Sequence, residues 1–298
     1  MKTRMITLTD ISKSYGKTAA LRNVSLNVDK GELFGLIGPD GSGKTTLFRI
    51  LTTLLLADHG EGTINGWDLV KDMQQIRNSS GYMPGRFSLY GHMTVEENLQ
   101  FFASIFKSDI KANYRLVADI YDQIAPFKDR RADKLSGGMK QKLALSCALI
   151  HKPLVLFLDE PTTGIDPVSR KELWAMLRHL GDEGITIVVS TPYMDEALMC
   201  DRIALMQNGQ ILQTDTPTGI TNHFDSQVYA IESDRIAQAL FEVRALKGVK
   251  SCYSFGNALH VVMEEGASPD LISQQLPGLA PRPIDATIED CFIALQKS

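Results

Sequence analysis

Short unbroken apolar runs alternate with amphipathic stretches along the first two thirds of the chain. Leu33-Phe34-Gly35-Leu36-Ile37, Val155-Leu156-Phe157-Leu158 and Ile185 to Val189 are such runs, each of strand length. A strand covered by helices on both sheet faces reads this way. The helical signatures are equally local. Thr94-Val95-Glu96-Glu97 is a capping box ahead of the periodic segment Leu99 to Phe106. Asp166-Pro167 pairs an N-cap residue with proline at the first helical position, starting a helix through Leu180. Asn208-Gly209, between Ile203-Ala204-Leu205-Met206 and Gln210-Ile211-Leu212, predicts a tight hairpin. Residues 1–220 are therefore expected to form an α/β domain.

From Thr221 the pattern changes. Val228 to Ile231, Val249 to Phe255 and Leu259 to Val262 read as short strands. Asp234 to Leu246, Asp270 to Gln275 and Thr287 to Gln296 read as helices, and Pro277, Pro281 and Pro283 punctuate the last connection. Residues 221–298 are expected to be a small α+β domain, and nothing in them carries recognisable chemistry. There is no internal repeat.

Composition narrows the classes. With 44% apolar and 22% charged residues, the 298-residue chain reads as an ordinary globular protein able to bury a core. The 35 acidic residues outnumber the 31 basic ones, so no global basic field points to nucleic acid. No apolar run approaches the roughly 18 residues that cross a bilayer; Leu54-Leu55-Leu56 is far too short. Met1-Lys2-Thr3-Arg4 leads straight into strand-like Met5 to Leu8, so no secretory signal is expected, and any service to a membrane comes from the cytosol. Cys147, Cys200, Cys252 and Cys291 form no CxxC pair, and the six histidines form no HExxH pattern. Zinc and a disulfide framework are not expected, and Cys147 reads as a buried core residue.

The chemistry is concentrated in three places. Gly38-Pro39-Asp40-Gly41-Ser42-Gly43-Lys44-Thr45-Thr46 fits GxxxxGK[ST] and lies between a strand and a helix. Its glycines let backbone N–H groups turn inward around phosphate oxygens, at a helix N-terminus that adds partial positive charge. Lys44 is placed to reach the β- and γ-phosphates, and Thr45 to put its hydroxyl on magnesium. The strand Val155–Leu158 ends in Asp159 and Glu160. Asp159 is expected to hold the same magnesium, and Glu160 to act as general base on the attacking water. Between these two motifs, Leu135-Ser136-Gly137-Gly138-Met139-Lys140 places a Ser-Gly-Gly turn at the start of a helix.

Phosphate loop, Ser-Gly-Gly turn and acidic strand end, in that order, resemble the ATP-binding subunit of an ABC transporter over residues 1–220. The resemblance implies a P-loop NTPase fold of ABC type with a helical subdomain at about 88–150. It implies ATP and magnesium as ligands, and an ATP closed between two subunits in a head-to-tail dimer. Leu135, Ser136, Gly137, Gly138 and Met139 would then act in trans on the other subunit's ATP. Tyr15, in Lys13-Ser14-Tyr15-Gly16, matches the aromatic that stacks on adenine, although alone it reads as a surface strand residue. Asp166, in Thr163-Gly164-Ile165-Asp166, matches the loop that contacts the partner. Met83 to Tyr90, Asp195-Glu196-Ala197 and Thr287 to Phe292 extend the likeness to ATPases of drug- and polymer-type exporters. The partners implied are integral-membrane transporter subunits and a second ATP-binding subunit, on the cytoplasmic face of the membrane.

Two positions depart from that family. Gly85 stands where it usually has glutamine, and Pro192 where it usually has histidine after Ser190-Thr191. Neither supplies a side-chain donor, and proline lacks a backbone one. A slow site of its own, paired with a more complete sibling, is the expectation, unless Arg86 or Tyr193 substitutes. The alternatives are a nucleotide-sensing module without meaningful turnover and a soluble ABC-type factor.

Overall fold

Two long strands, β1 (Arg4–Tyr15) and β2 (Thr18–Asp29), open the fold as an antiparallel pair around a turn where Gly16 takes a φ of 59°. The computed structural model describes residues 3–85 and 89–296. β3 (Leu33–Ile37) is buried throughout and delivers the chain to α1 (Lys44–Leu51). β4 (His59–Ile64) returns to pair with β1 and is followed by β5 (Trp67–Asp68). α2 (Met73–Ser79) then leads into β6 (Ser80–Met83). Three helices come next: α3 (Val95–Ile105), α4 (Ile110–Tyr121) and α5 (Gly137–Leu149). β7 (Val155–Asp159), α6 (Pro167–Asp182), β8 (Thr186–Thr191) and the hairpin of β9 (Arg202–Gln207) and β10 (Gln210–Asp215) complete this part.

These strands make two sheets. One is antiparallel, in the order β2-β1-β4-β5; the other runs β10-β9-β3-β8-β7-β6, parallel except for β10. One apolar cluster joins β1, β2, β3, α1 and β7, and within it the Phe48 and Phe157 rings meet edge to face at 5.8 Å. β3 lies between β8 and β9, with Ile37 opposite Thr191, while Asp159 of β7 lies opposite Ser190. The carboxyl ends of β3, β7 and β8 therefore end side by side, where open parallel sheets place their ligands.

The chain divides into two units, Met1–Thr216 and Pro217–Ser298. The second holds α7 (Pro217–Asn222), β11 (Val228–Glu232), α8 (Ile236–Arg244), β12 (Val249–Phe255), β13 (Ala258–Met263), α9 (Asp270–Gln275), β14 (Arg282–Ile284) and α10 (Ile288–Leu295). From β11 to β14 the succession is βαββαβ, and the antiparallel sheet runs β12-β13-β11-β14. This is the split-βαβ, ferredoxin-like arrangement. Its core is Ile231, Ala239, Val243, Cys252, Leu259, Val261 and Ile272. Thr287 caps α10 in a box with Asp290, whose carboxylate lies 3.0 Å from His260 Nδ1 on β13.

One sequence expectation fails here. The proline-punctuated stretch contains β14, with Pro283 opposite Tyr229. A proline cannot donate to the ladder, so the pattern argued against a strand, yet at the sheet edge one neighbour suffices. The new unit also begins with α7, ahead of the composition change at Thr221.

Candidate active site

The loop between β3 and α1 is shaped by contacts that leave no room for side chains. A Cβ on Gly38 would lie 2.1 Å from the Met206 carbonyl oxygen, and one on Gly43 2.6 Å from that of Ala20. Gly43 also takes a φ of 110°, which only glycine adopts freely. Strand neighbours hold the loop in place: Gly38 N–H donates to Thr191 O at 3.2 Å, and Gly209 N–H to Ser42 O at 2.9 Å. Asn208-Gly209 is the expected hairpin turn, with φ of 48° and 78°, so that turn also supports the loop.

Lys44 is buried at 3% exposure, and its ammonium donates to Gly38 O at 2.8 Å and Pro39 O at 3.0 Å. It lies 3.5 Å from Glu160 Oε1. Ser42 Oγ is buried in the loop without a hydrogen-bond partner. An orphan hydroxyl in the same loop as a buried cation, at a helix N-terminus, fits a phosphate-bearing ligand. Asp40 and Thr45 are exposed, and Thr46 is half-buried.

Asp159 and Glu160 are held from β8. Ser190 Oγ donates to Asp159 Oδ1, while the Glu160 N–H donates to Ser190 O at 3.0 Å. Asp159 is 2% exposed. Glu160 takes a φ of 52°, in the left-handed region that costs an L-residue about 1–3 kcal/mol. The nearby Tyr82 hydroxyl is pushed up to about 12 by burial and then by the charge of Asp159. Gly85 lies against this corner: a Cβ there would be 3.1 Å from Asp159 O and 3.8 Å from Glu160 Cβ. Arg86 lies outside the described residues.

The Ser-Gly-Gly turn forms a separate locus. Ser136 is exposed and caps α5, accepting from Met139 N–H at 3.3 Å, while Leu135 is buried beneath it. A Cβ on Gly137 would lie 3.2 Å from Gly164 O, and one on Gly138 2.6 Å from Ser169 Oγ. The turn thus rests on the loop containing Asp166. Asp166 caps α6 by accepting from Val168 and Ser169 N–H at 3.0 Å, and donation from the Ser169 hydroxyl holds its carboxyl below the usual aspartate range. The polar contacts of Lys44 run to Gly38, Pro39 and Glu160, not to this turn. Tyr15 ends β1 at 48% exposure. The structure brings Lys44, Asp159 and Glu160 together and leaves Ser136 to Met139 elsewhere on the surface.

Comparison with known proteins accords with this geometry. The family model described as "ABC transporter" matches residues 21–163. The Nod factor export ATP-binding protein I of Rhizobium sp. (strain N33) is 33% identical over 299 residues, covering 97% of this chain and 96% of that protein. The chain belongs to the ABC transporter ATP-binding proteins. Among its other relatives, the linearmycin resistance ATP-binding protein LnrL of Bacillus subtilis (strain 168) is 33% identical, over 72% of this chain and 70% of LnrL. The probable multidrug ABC transporter ATP-binding protein YbhF of Escherichia coli (strain K12) is 36% identical over 99% of this chain, which spans about half (52%) of YbhF. Among solved structures, the dimeric post-hydrolysis state of the ATP-binding cassette MJ0796 bound to ADP and Pi superposes with a TM-score of 0.64. It is 27% identical over 71% of this chain and 98% of that one.

No local motif marks Ser190 or Arg170, because their partners Asp159, Asp195 and Glu196 lie on elements distant in the chain. Among the described residues, no helix is long and apolar enough to cross a membrane, and no three metal-ligating side chains cluster.

Proposed function

We propose that this chain binds ATP with magnesium in the loop Gly38–Thr46 and hydrolyses it when a second ATP-binding subunit closes its Ser-Gly-Gly turn over the nucleotide. The energy would drive an integral-membrane exporter from the cytoplasmic face. The observation that carries this reading is the buried Lys44 ammonium, seated on two loop carbonyls with Glu160 3.5 Å away at the end of β7. Tyr15 stacks on the adenine, and the loop amides and Lys44 hold the phosphates. Thr45 and Asp159, oxygen donors of the kind magnesium prefers, would hold the ion, which would screen the triphosphate charge. Glu160 takes the proton of the attacking water, with its backbone fixed by Ser190. Ser136, Gly137, Gly138 and Met139 serve the partner's ATP, and Asp166 faces that partner. Met1–Thr216 carries all these groups.

Gly85 and Pro192 support a pairing with a more complete sibling, since one missing preorganised donor costs on the order of 10²–10³ in rate. The names of relatives linked to drug resistance and Nod factor export support the direction of transport. Lys44→Ala is expected to weaken ATP binding about 10- to 100-fold. Glu160→Gln should leave binding intact and lower turnover about 10²–10⁴-fold. Fast turnover by the purified chain alone, abolished by Glu160→Gln, would sink the slow-site idea. Tight ATP binding with no turnover, alone or with a sibling, would make it a nucleotide-sensing module instead.

A further inference from the structure

Arg170 lies one turn into α6, and two of its guanidinium nitrogens bind carboxylates. Nε donates to Glu196 Oε1 at 2.6 Å, and Nη2 lies 2.8 Å from both carboxylate oxygens of Asp195. The guanidinium carbon also lies 4.8 Å from the centre of the Tyr193 ring. Glu196 is 2% exposed, and its other oxygen, Oε2, is buried without a partner. Removing Arg170 would leave this buried carboxylate without its cation, which is costly. The planar guanidinium gives separate N–H groups to the two carboxylates while its face lies over the Tyr193 ring.

This cluster joins two parts of the site. On one side, Arg170 follows Ser169, whose hydroxyl donates to Asp166 Oδ2 at 2.6 Å and packs where a Cβ on Gly138 would intrude. On the other side, Tyr193 N–H donates to Thr191 Oγ1 at 3.1 Å, and Thr191 O accepts from Gly38 N–H of the phosphate loop. Pro192 lies between Thr191 and Tyr193 and offers no donor of its own. The Arg170 cluster is thus one of the contacts that place residues 193–196 after β8.

Resting on the ATPase reading above, we propose that Arg170 is a positioning residue, coupling the loop beneath the Ser-Gly-Gly turn to the end of β8 and so to the phosphate loop. It touches neither nucleotide nor reacting atoms. A displacement of residues 164–169 is passed by the guanidinium to residues 193–196, and from Thr191 to Gly38.

The test uses the full chain with Arg170→Met and Arg170→Lys, reading ATP turnover, KM, binding of a fluorescent ATP analogue, melting temperature and amide exchange at Gly38. Arg170→Met is expected to lower kcat about 10- to 100-fold, with KM and analogue affinity within about twofold. Arg170→Lys keeps a cation against Glu196 but loses the fork, so it should regain melting temperature without regaining kcat. Recovery of both by lysine would overturn the proposal, as would a fall in kcat matched by a rise in KM. If Arg170→Met does not fold, Arg170→Lys alone decides by the same readings. If the wild-type chain shows no turnover, alone or mixed with a sibling, the ATPase reading fails, yet Gly38 exchange still decides. Exchange roughly tenfold faster in the folded Arg170 variants supports the coupling; unchanged exchange refutes it.

Discussion

Glu160 holds a backbone conformation that glycine would adopt more cheaply. Its φ of 52° and its bonds to Ser190 fix the carboxylate beside Lys44. Glu160→Gly should therefore raise thermal stability, by about 1 kcal/mol, while abolishing turnover. A melting curve and an ATPase assay on the same preparation check both halves, and a fall in stability would show that no strain is stored there. His151 carries the pH dependence at this scale. It stacks on Phe106 at 3.8 Å, its Nε2 lies 3.1 Å from Ser80 O, and its Nδ1 is buried without a hydrogen-bond partner. Burial pushes its pKa down. Below pH about 6.5 the unfolded chain takes up a proton that the folded one resists, so stability is lost as pH falls from there to the folded pKa. Urea midpoints at pH 7.5 and 5.5 should diverge more for the wild type than for His151→Phe. In the sequence, Lys44, Asp159 and Glu160 were legible because strand, loop and helix signals sit beside them. The φ of Glu160 and the grip of Ser190 were not, since both arise from β7 meeting β8, 30 residues later.

Among the elements, those closed by local chemistry could be read directly. Thr94 Oγ1 accepts from Glu97 N–H at 3.1 Å and Glu97 Oε2 from Thr94 N–H at 2.7 Å, completing the box expected ahead of α3. Thr94→Ala should cost about 1 kcal/mol, measurable as a lower urea midpoint with unchanged slope. Asp166 and Pro167 likewise begin α6. The long pair β1 and β2 was only partly visible, because its register shifts break strict alternation. β14 was hidden altogether. A three-residue edge strand containing Pro283 has no sequence signature and forms because β11 offers an unpaired side.

For the whole molecule, strands alternating with helices were enough to give the α/β class, but the succession βαββαβ in the second unit emerged only once β14 was placed. The first unit's two chemical loci lie apart: Lys44 with Glu160 in one, and Ser136 to Met139 resting on residues 164–169 in the other. Two damaged chains should then complement each other. A mixture of Lys44→Ala with a chain lacking the Ser-Gly-Gly turn should recover turnover that neither has alone, and an inactive mixture would place the two loci of one chain on the same nucleotide. The same separation governs inheritance. A copy with a ruined turn still recruits a healthy partner and disables the ATP that partner holds. Such an allele is expected to be dominant, and more harmful to transport than deletion of the gene.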